Sequence, residues 1–270
     1  MFQARSGIDP DENARALVAA VDAAAAGGAT MLFTPEMTGL LDRDGARARP
    51  RLCSPETDRV LAAGREAASR HGLWLHLGSL AVLTEEGKLA NRAFVIDPAG
   101  AIRATYDKIH LFDVDLPTGE SWRESATYRP GTAAVVVDGT PVGRLGLAIC
   151  YDLRFPALFA ALAEAGADTI AVPAAFTVPT GKAHWHLLLR ARAIEAGLFV
   201  VAAAQGGHHE DGRETFGHSL VVDPWGEVVL DMGSVGGVGF VEVDLARVAE
   251  VRSRIPALDH RRTIGAPQVN

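Results

Sequence analysis

Cysteines, aromatic residues and long hydrophobic runs are scarce in this chain of 270 residues. Cys53 and Cys150 are its only cysteines, and two cysteines cannot form the disulfide framework of a small secreted protein, which favours a reducing cytoplasm. The longest apolar stretches, such as residues 198–204, are far too short to cross a bilayer, so we expect no membrane association. The chain begins without a signal-peptide pattern, and its abrupt start at a predicted strand is compatible with a shortened or misassigned start.

Basic residues are also fewer than acidic residues in this chain. The chain has 26 Lys and Arg residues against 33 Asp and Glu residues, a formal net charge of −7, and no basic stripe. We therefore expect no nucleic-acid partner. The hydrophobic share of 48% and the charged share of 22% are those of a globular protein, and the length allows a large buried core.

Helix and strand patterns alternate along the chain, which is typical of an α/β protein. An alanine-rich helix is predicted from Glu12 to Ala26, and a short strand follows at residues 30–33. The apolar runs at 143–149 and 198–204 predict buried strands. Residues 111–130 have no clear periodicity, and loops of that length inside a compact domain are usually functional or disordered.

The same strand-and-turn signature occurs once in each half of the chain. Residues 94–100 read FVIDPAG and residues 220–226 read LVVDPWG, and both contain the residues that favour a tight turn between two strands. A last strand is expected at 240–243. Because helices and strands interleave in both halves, we expect two similar sheets packed face to face, with helices on both outer surfaces. No linker separates the halves, so residues 1–270 are predicted to form a single domain.

Cys150 ends an apolar run and precedes Pro156, a residue favoured in the first turn of a helix. A strand, a sharp turn and a helix present a nucleophile at the edge of a sheet. The free N–H groups and dipole of a helix N-terminus would lower the pKa of a nearby thiol. A lone cysteine in an apolar run is more often an inert thiol in the core, because free cysteine is among the most buried residues. The neighbouring motif residues are what favour a nucleophile here.

Glu36 and Lys108 also follow the ends of predicted strands, and active sites of α/β folds gather where strands end. We therefore expect both residues to meet Cys150 in one crevice. Their chemistry is complementary, because a buried carboxylate can accept the thiol proton and an ammonium can stabilise an oxyanion. The backbone N–H of Tyr151, directly after the nucleophile, would be the second oxyanion donor.

Three segments resemble the nitrilase, or carbon–nitrogen hydrolase, superfamily. They are FTPEM at 33–37, YDKIHLFDV at 106–114 and CYDLRFP at 150–156, in the order of the superfamily motifs. The resemblance covers nearly the whole chain. It implies a four-layer α-β-β-α sandwich, a homodimer or higher homo-oligomer, a small-molecule amide substrate, and a thioester acyl-enzyme without metal or cofactor.

By this resemblance Glu36 is the general base, Lys108 the oxyanion donor and Cys150 the nucleophile. Many members carry a second glutamate that positions the lysine or assists the base. The local pattern of Glu124 and Ser125, followed by a Pro-Gly pair, assigns that role to Glu124, with Glu120 as the near competitor.

Within the superfamily the chain is most similar to the Nit branch, through residues 174–185, 190–195, 202–205 and 217–219. This set resembles the deaminated glutathione amidases, which release 2-oxoglutarate and cysteinylglycine. The alternatives are an ω-amidase acting on 2-oxoglutaramate or 2-oxosuccinamate, an N-carbamoyl amidohydrolase, and a non-enzymatic Nit-like binding scaffold. The intact set of Glu36, Lys108 and Cys150 favours an enzyme.

The substrate side of the site is predicted less directly. Such a substrate carries a carboxylate, and Arg154, four residues after the nucleophile, is the candidate cation; alternatively it forms a structural pair with an acidic neighbour. Phe176 would supply an apolar wall, or simply pack in the core. Glu195 is expected to pair with Arg192 one helical turn earlier.

The nine histidines do not have the spacing of zinc ligands in any segment. His184 and His186 are two apart on a predicted helix and should point to different faces. His208 lies in a glycine-flanked loop. We therefore predict no metal site.

Overall fold

Two facing β-sheets form the centre of the structure, a computed structural model that describes residues 1–115, 119 and 121–269. The α-helices of this part of the chain are α1 (Pro10–Ala26), α2 (Gly45–Ala48), α3 (Arg59–His71), α4 (Pro156–Glu164), α5 (Val178–Ala196) and α6 (Ala246–Arg254). Its strands are β1 (Phe2–Gln3), β2 (Met31–Phe33), β3 (Trp74–Leu83), β4 (Leu89–Ile96), β5 (Ile102–Asp107), β6 (Asp113–Asp115), β7 (Ser121–Arg123), β8 (Val136–Thr140), β9 (Gly143–Leu147), β10 (Thr169–Ala171), β11 (Phe199–Ala202), β12 (Gly206–His208), β13 (Glu214–Phe216), β14 (Leu220–Val222), β15 (Val228–Asp231) and β16 (Gly237–Val238).

The two large sheets have four and six strands. The smaller sheet has the order β2-β3-β4-β5, with β2 parallel to β3 and the other neighbours antiparallel. The larger sheet has the order β15-β14-β11-β10-β9-β8, with β9, β10 and β11 mutually parallel. Parallel strands need crossovers, and α4 and α5 supply them between β9, β10 and β11.

Side chains alternate between two hydrophobic layers. On β4, Phe94 and Ile96 are buried with Leu17 of α1 and Leu61 of α3, whereas Val95 belongs to the layer shared by the two sheets. Fully burying a side chain of this size contributes roughly 1.5–3 kcal/mol. Helices α4 and α5 cover the outer face of the larger sheet, which completes the predicted α-β-β-α sandwich.

The helix ends follow ordinary capping chemistry. Asp9 precedes α1 and its carboxylate accepts the N–H of Asp11, with Pro10 at the first helical position. Asp58 caps α3 in the same way, and Gly72 ends that helix with φ = 62°.

The repeated hairpin turn is confirmed in both sheets. The Asp97 side chain accepts the N–H groups of Ala99 and Ala101 in the turn between β4 and β5. The Asp223 side chain does the same for the N–H groups of Trp225 and Glu227 between β14 and β15. An aspartate side chain that accepts the backbone N–H two residues ahead stabilises this type of turn. The two similar sequences at 94–100 and 220–226 therefore form the same turn for the same physical reason.

The strand predicted at 240–243 is wrong. Gly237 and Val238 form the strand instead, and they pair with Gln3 and Phe2 respectively. The Phe240 ring lies against Gly27 at the end of α1, in space that only a glycine leaves open. Residues 240–243 therefore cover the end of a helix and have no strand partner in the described part of the chain.

The segment at 111–130 is partly regular. Strands β6 and β7 pair antiparallel, and a 3-10 turn at Glu124–Ala126 follows. Glu120 lies outside the described residues. Among the described helices, none is long and apolar enough to span a membrane.

Candidate active site

A cavity of about 810 Å³ opens where strands of both sheets end. Its wall includes all four residues predicted to be catalytic, which are Glu36, Lys108, Glu124 and Cys150. Tyr151, Arg154 and Phe176, predicted to bind substrate, line the same cavity. The structure thus brings together residues that are up to 140 positions apart in the sequence.

Lys108 lies between two carboxylates directly after β5. Its Nζ is 3.0 Å from Oε1 of Glu36 and 2.9 Å from Oε2 of Glu124, and its side chain is 2% exposed. Burial disfavours the ammonium, but the charges of Glu124 and then Glu36 outweigh it and hold the pKa of Lys108 well above its usual range. The lysine is therefore cationic at neutral pH.

Glu36 is buried in the turn after β2, and both of its oxygens are engaged. Oε1 accepts the Nδ2–H of Asn91 at 2.8 Å as well as the Lys108 ammonium, and Oε2 accepts the N–H of Ala175 at 3.0 Å. The backbone oxygen of Glu36 accepts the Nε2–H of Gln205 at 2.9 Å. These contacts fix the carboxylate in one orientation beside the cysteine.

Asn91 is a part of this cluster that sequence reasoning missed. It is buried on β4, and its Nδ2 also donates to Oε1 of Glu124 at 3.2 Å. The backbone carbonyl oxygen of Asn91 accepts the backbone N–H of Lys108 at 2.9 Å. Asn91 thus separates two negative charges and positions the lysine between them. A single asparagine in an apolar strand gives no sequence signal for that role.

Glu124 begins the 3-10 turn after β7. Besides Lys108, it accepts the backbone N–H of Phe112 at 2.7 Å through Oε2. The segment without periodicity is therefore anchored to the cavity at a carboxylate.

Cys150 begins a 3-10 helix at Cys150–Arg154 and has φ = 48°, a left-handed conformation that is costly for a residue with a side chain. Its N–H donates to the carbonyl of Pro173 at 2.9 Å. No backbone carbonyl in the described part of the chain accepts the N–H of Tyr151. A strained turn with an unpaired N–H after the nucleophile is the geometry of an oxyanion site.

Asp152 holds this turn in place. Its fully buried carboxylate accepts the N–H of Ile149 at 2.9 Å and the hydroxyl of Tyr106 at 2.7 Å. It also accepts the N–H of His110 at 3.0 Å and lies 2.7 Å from that residue's Nδ1. The turn is thus tied to β5 and to the segment after Lys108.

The prediction of a lowered thiol pKa is wrong. Helix α4 begins only at Pro156, six residues after Cys150. Burial, followed by the negative charge of Glu36, raises the pKa of the thiol well above its usual range, and Lys108 only partly opposes this. The resting sulfur therefore carries a proton that a base must remove.

Arg154 faces the cavity without a carboxylate partner within salt-bridge distance among the described residues. Its Nη1 is 3.2 Å from Nδ1 of His184, and its guanidinium carbon is 5.5 Å from the Phe176 ring centroid and 5.8 Å from that of Tyr151. A guanidinium over aromatic faces remains charged and available to an anion. Phe176 also packs on Trp185, with ring centroids 4.8 Å apart, so it belongs to both the core and the cavity wall.

The remaining charged groups predicted from the sequence lie away from this cluster. Arg192 pairs with Glu195 at 2.8 Å, as expected. Candidate metal-ligand atoms of His186, His218 and Asp231 lie within 4.8 Å of one another, outside the cavity wall. They are already joined by hydrogen bonds of 2.9–3.2 Å, so each imidazole has a partner.

Comparisons with known proteins agree with the motifs and the geometry. Residues 1–253 match the sequence profile of the Carbon-nitrogen hydrolase family. A protein of Yersinia enterocolitica named deaminated glutathione amidase is 40% identical over 242 residues, which cover 88% of this chain and 84% of that protein.

Solved structures share the fold. The crystal structure of the Caenorhabditis elegans NitFhit protein matches with a TM-score of 0.89 and 38% identity over 97% of this chain, which spans 64% of that longer chain. A mutant amidase from Nesterenkonia sp. AN1, with an acetamide moiety covalently attached at its active-site cysteine, matches with a TM-score of 0.80 and 26% identity over 97% of this chain and 92% of that one. The profile match, the relatives and the shared fold lead to one conclusion: the chain belongs to the carbon–nitrogen hydrolase family.

Proposed function

We propose that this protein is a thiol amidase that hydrolyses deaminated glutathione to 2-oxoglutarate and cysteinylglycine. The observation that carries the proposal is the buried cluster of Glu36, Lys108 and Glu124 beside Cys150 in one cavity. It supplies a base, a cation and a nucleophile. The name of the Yersinia enterocolitica relative supports the choice of substrate.

In the first half-reaction Glu36 takes the proton of the Cys150 thiol as the sulfur attacks the scissile carbonyl carbon. The raised pKa of the thiol makes this coupled transfer necessary. The Lys108 ammonium and the Tyr151 N–H stabilise the oxyanion of the tetrahedral intermediate. Glu36 then gives the proton to the leaving nitrogen, cysteinylglycine departs, and a 2-oxoglutaryl thioester remains on Cys150.

In the second half-reaction a water molecule replaces the amine. Glu36 accepts a proton from the water as it attacks the thioester carbonyl, and the same donors stabilise the second oxyanion. Collapse of this intermediate expels the Cys150 sulfur, which regains its proton from Glu36, and releases 2-oxoglutarate. Glu124 and Asn91 act as positioning residues, because both hold the Lys108–Glu36 pair.

The acyl half of the substrate carries a 2-oxo acid, and Arg154 is the proposed partner of its carboxylate. Its charge has no competing carboxylate nearby among the described residues, and Phe176 provides an apolar surface beside it. A carboxylate held there would place the acyl chain against Cys150 in a fixed orientation.

The substrate is tested by comparing kcat/KM for deaminated glutathione, 2-oxoglutaramate, 2-oxosuccinamate and an N-carbamoyl amino acid. We expect deaminated glutathione to be the best substrate. Faster turnover of a free 2-oxo-acid amide would assign the protein to the ω-amidases, and turnover of the carbamoyl compound alone would assign it to the N-carbamoyl amidohydrolases. No turnover of any of them by folded protein would favour a binding scaffold.

We further propose that the protein is a cytoplasmic homodimer with one domain. The free thiols of Cys53 and Cys150 fit a reducing compartment. Leu187 and Ile194 of α5 are 69% and 53% exposed, and an apolar helix face of this kind favours contact with a second copy. Light scattering coupled to size-exclusion chromatography should give the mass of a dimer, about twice 28.5 kDa.

A further inference from the structure

Three exposed basic side chains line the cavity, and we name them the cationic rim: Arg43, Arg49 and Lys88. Arg43 and Arg49 flank α2, and Lys88 lies in the turn between β3 and β4. In the described part of the chain none of the three has a carboxylate within salt-bridge distance, whereas Arg123 and Arg213 of the same wall pair with Asp115 and Asp211.

Each of the four carboxylates of the same wall has a basic neighbour, and that of Glu214 lies 3.5 Å from Nε2 of His208. Glu36 and Glu124 bind Lys108, and Asp42 binds Arg47 at 2.7 Å. Lys108 leaves one negative charge of Glu36 and Glu124 uncompensated, but the cationic rim adds three positive charges, so the exposed part of the cavity wall has a local positive potential. Such a potential attracts and orients an anion.

Arg154 and the cationic rim come from different parts of the chain. Arg154 belongs to the 3-10 helix that Cys150 begins, and it lies among the aromatic rings of Tyr151 and Phe176. The rim belongs to segments attached to the smaller sheet. Among the described residues, the cavity wall therefore offers two separate sets of cations without a carboxylate partner, Arg154 near the nucleophile and the exposed cationic rim.

Deaminated glutathione has a matching distribution of charge. Its acyl half ends in the carboxylate of a 2-oxo acid, and its leaving group ends in the carboxylate of glycine, on the other side of the scissile amide. We propose that the cationic rim binds the glycine carboxylate of the leaving dipeptide, an inference that rests on the proposed function. Arg43 and Arg49 would select substrates with an anionic tail over shorter or neutral amides.

The test uses two substrates that differ in one charge: deaminated glutathione, and its analogue with the glycine carboxylate converted to a carboxamide. The variants are the doubly substituted Arg43→Gln/Arg49→Gln protein, the charge-preserving Arg43→Lys/Arg49→Lys protein, and Arg103→Gln as a matched control. Arg103 is an exposed arginine on β5 that lies outside the cavity wall. The readout is the ratio of kcat/KM for the acid to that for the carboxamide, so each protein serves as its own reference for folding and chemistry.

We expect the unsubstituted protein to favour the acid by about tenfold, because exposed ion pairs are individually weak but two arginines can share one carboxylate. The glutamine variant should lose most of this preference, and the lysine variant and Arg103→Gln should keep most of it. Equal ratios in the unsubstituted protein and the glutamine variant, or no preference in the unsubstituted protein, would overturn the inference. No turnover of either substrate by the unsubstituted protein would overturn the proposed function itself.

Discussion

Replacing Glu124 by Gln tests how the buried charges of the site are balanced. The wild-type carboxylate contacts Lys108 Nζ at 2.9 and 3.2 Å and accepts the N–H of Phe112 at 2.7 Å. A glutamine keeps the size of the side chain but has only one oxygen. Oε2 of Glu124 accepts from both Lys108 and Phe112, and Oε1 accepts from Lys108 and from Nδ2 of Asn91. In either orientation of the glutamine, its N–H₂ group therefore faces Lys108 and one further donor, which is Asn91 or Phe112.

The expected loss follows from the hydrogen bonds concerned. Hydrogen bonds to charged groups contribute about 1.5–3 kcal/mol, so the variant should lose roughly 2–4 kcal/mol of unfolding free energy at neutral pH. Lys108 gains stability from having a raised pKa in the folded state, and this gain is present below the pKa of an unfolded lysine and is lost as pH rises through the folded pKa. The stability difference between wild type and variant should therefore be complete at neutral pH and shrink in strong alkali.

Catalysis should change in a way that a purely structural effect would not produce. Glu124 is the largest charge raising the pKa of Lys108, so its removal lowers that pKa and neutralises the oxyanion donor at lower pH. The alkaline limb of kcat/KM should shift downward, and kcat/KM at neutral pH should fall roughly 10- to 100-fold. Glu66→Gln, on an exposed position of α3, is the matched control and should change neither quantity. A Glu124→Gln protein with the wild-type pH profile would refute the role given to this carboxylate.

Three further substitutions test other parts of the account. Asn91→Leu should reduce kcat/KM by about tenfold or more, because Glu36 loses the amide that donates to it at 2.8 Å. Steady-state kinetics check this, with a circular dichroism spectrum to show that the variant is folded. Unchanged kinetics would mean that Asn91 has no role in the site. Gly78→Ala should destabilise the protein by roughly 3 kcal/mol, since its Cβ would lie 2.0 Å from the carbonyl oxygen of Thr34 in the turn that carries Glu36; a denaturation midpoint equal to that of wild type would contradict it. Burial lowers the pKa of His76 to about 3, so below pH 6.5 the unfolded state binds a proton that the folded state does not. The free energy of unfolding should therefore decrease as the pH is lowered, by about 2 kcal/mol at pH 5. His76→Leu should remove this part of the loss, and urea titrations at pH 7 and pH 5 that show an equal loss in both proteins would argue against it.

The grouping of the candidate catalytic residues in one cavity was predictable because they follow strand ends and occur within distinctive motifs. Glu36, Lys108 and Cys150 each combine a local pattern with a chemical function, and the long gaps between them do not matter once strands from two sheets end at one cavity. The hairpin turns could also be predicted from the sequence, because the hydrogen bonds of Asp97 and Asp223 that stabilise them reach no more than four residues along the chain.

The features that sequence reasoning missed depend on contacts between distant segments. Asn91 has no local pattern that reveals two carboxylates 55 and 33 positions away. The thiol pKa was predicted in the wrong direction because a helix start nearby in the sequence has less effect on the thiol than its burial and the charge of Glu36. The strand expected at 240–243 failed because β-propensity identifies no partner, and β1 pairs with Gly237 and Val238 instead.

The central claim is that Cys150 carries the acyl half of the substrate during turnover. The most direct test is to mix the protein with deaminated glutathione and stop the reaction with acid during the first turnover. The masses of the intact protein and of its Cys150 peptide are then measured. The account predicts a 2-oxoglutaryl adduct on Cys150 that forms together with one equivalent of cysteinylglycine, and no adduct or product with Cys150→Ala. Product formation by a folded Cys150→Ala protein, or turnover by wild type with the acyl group on another residue, would contradict it.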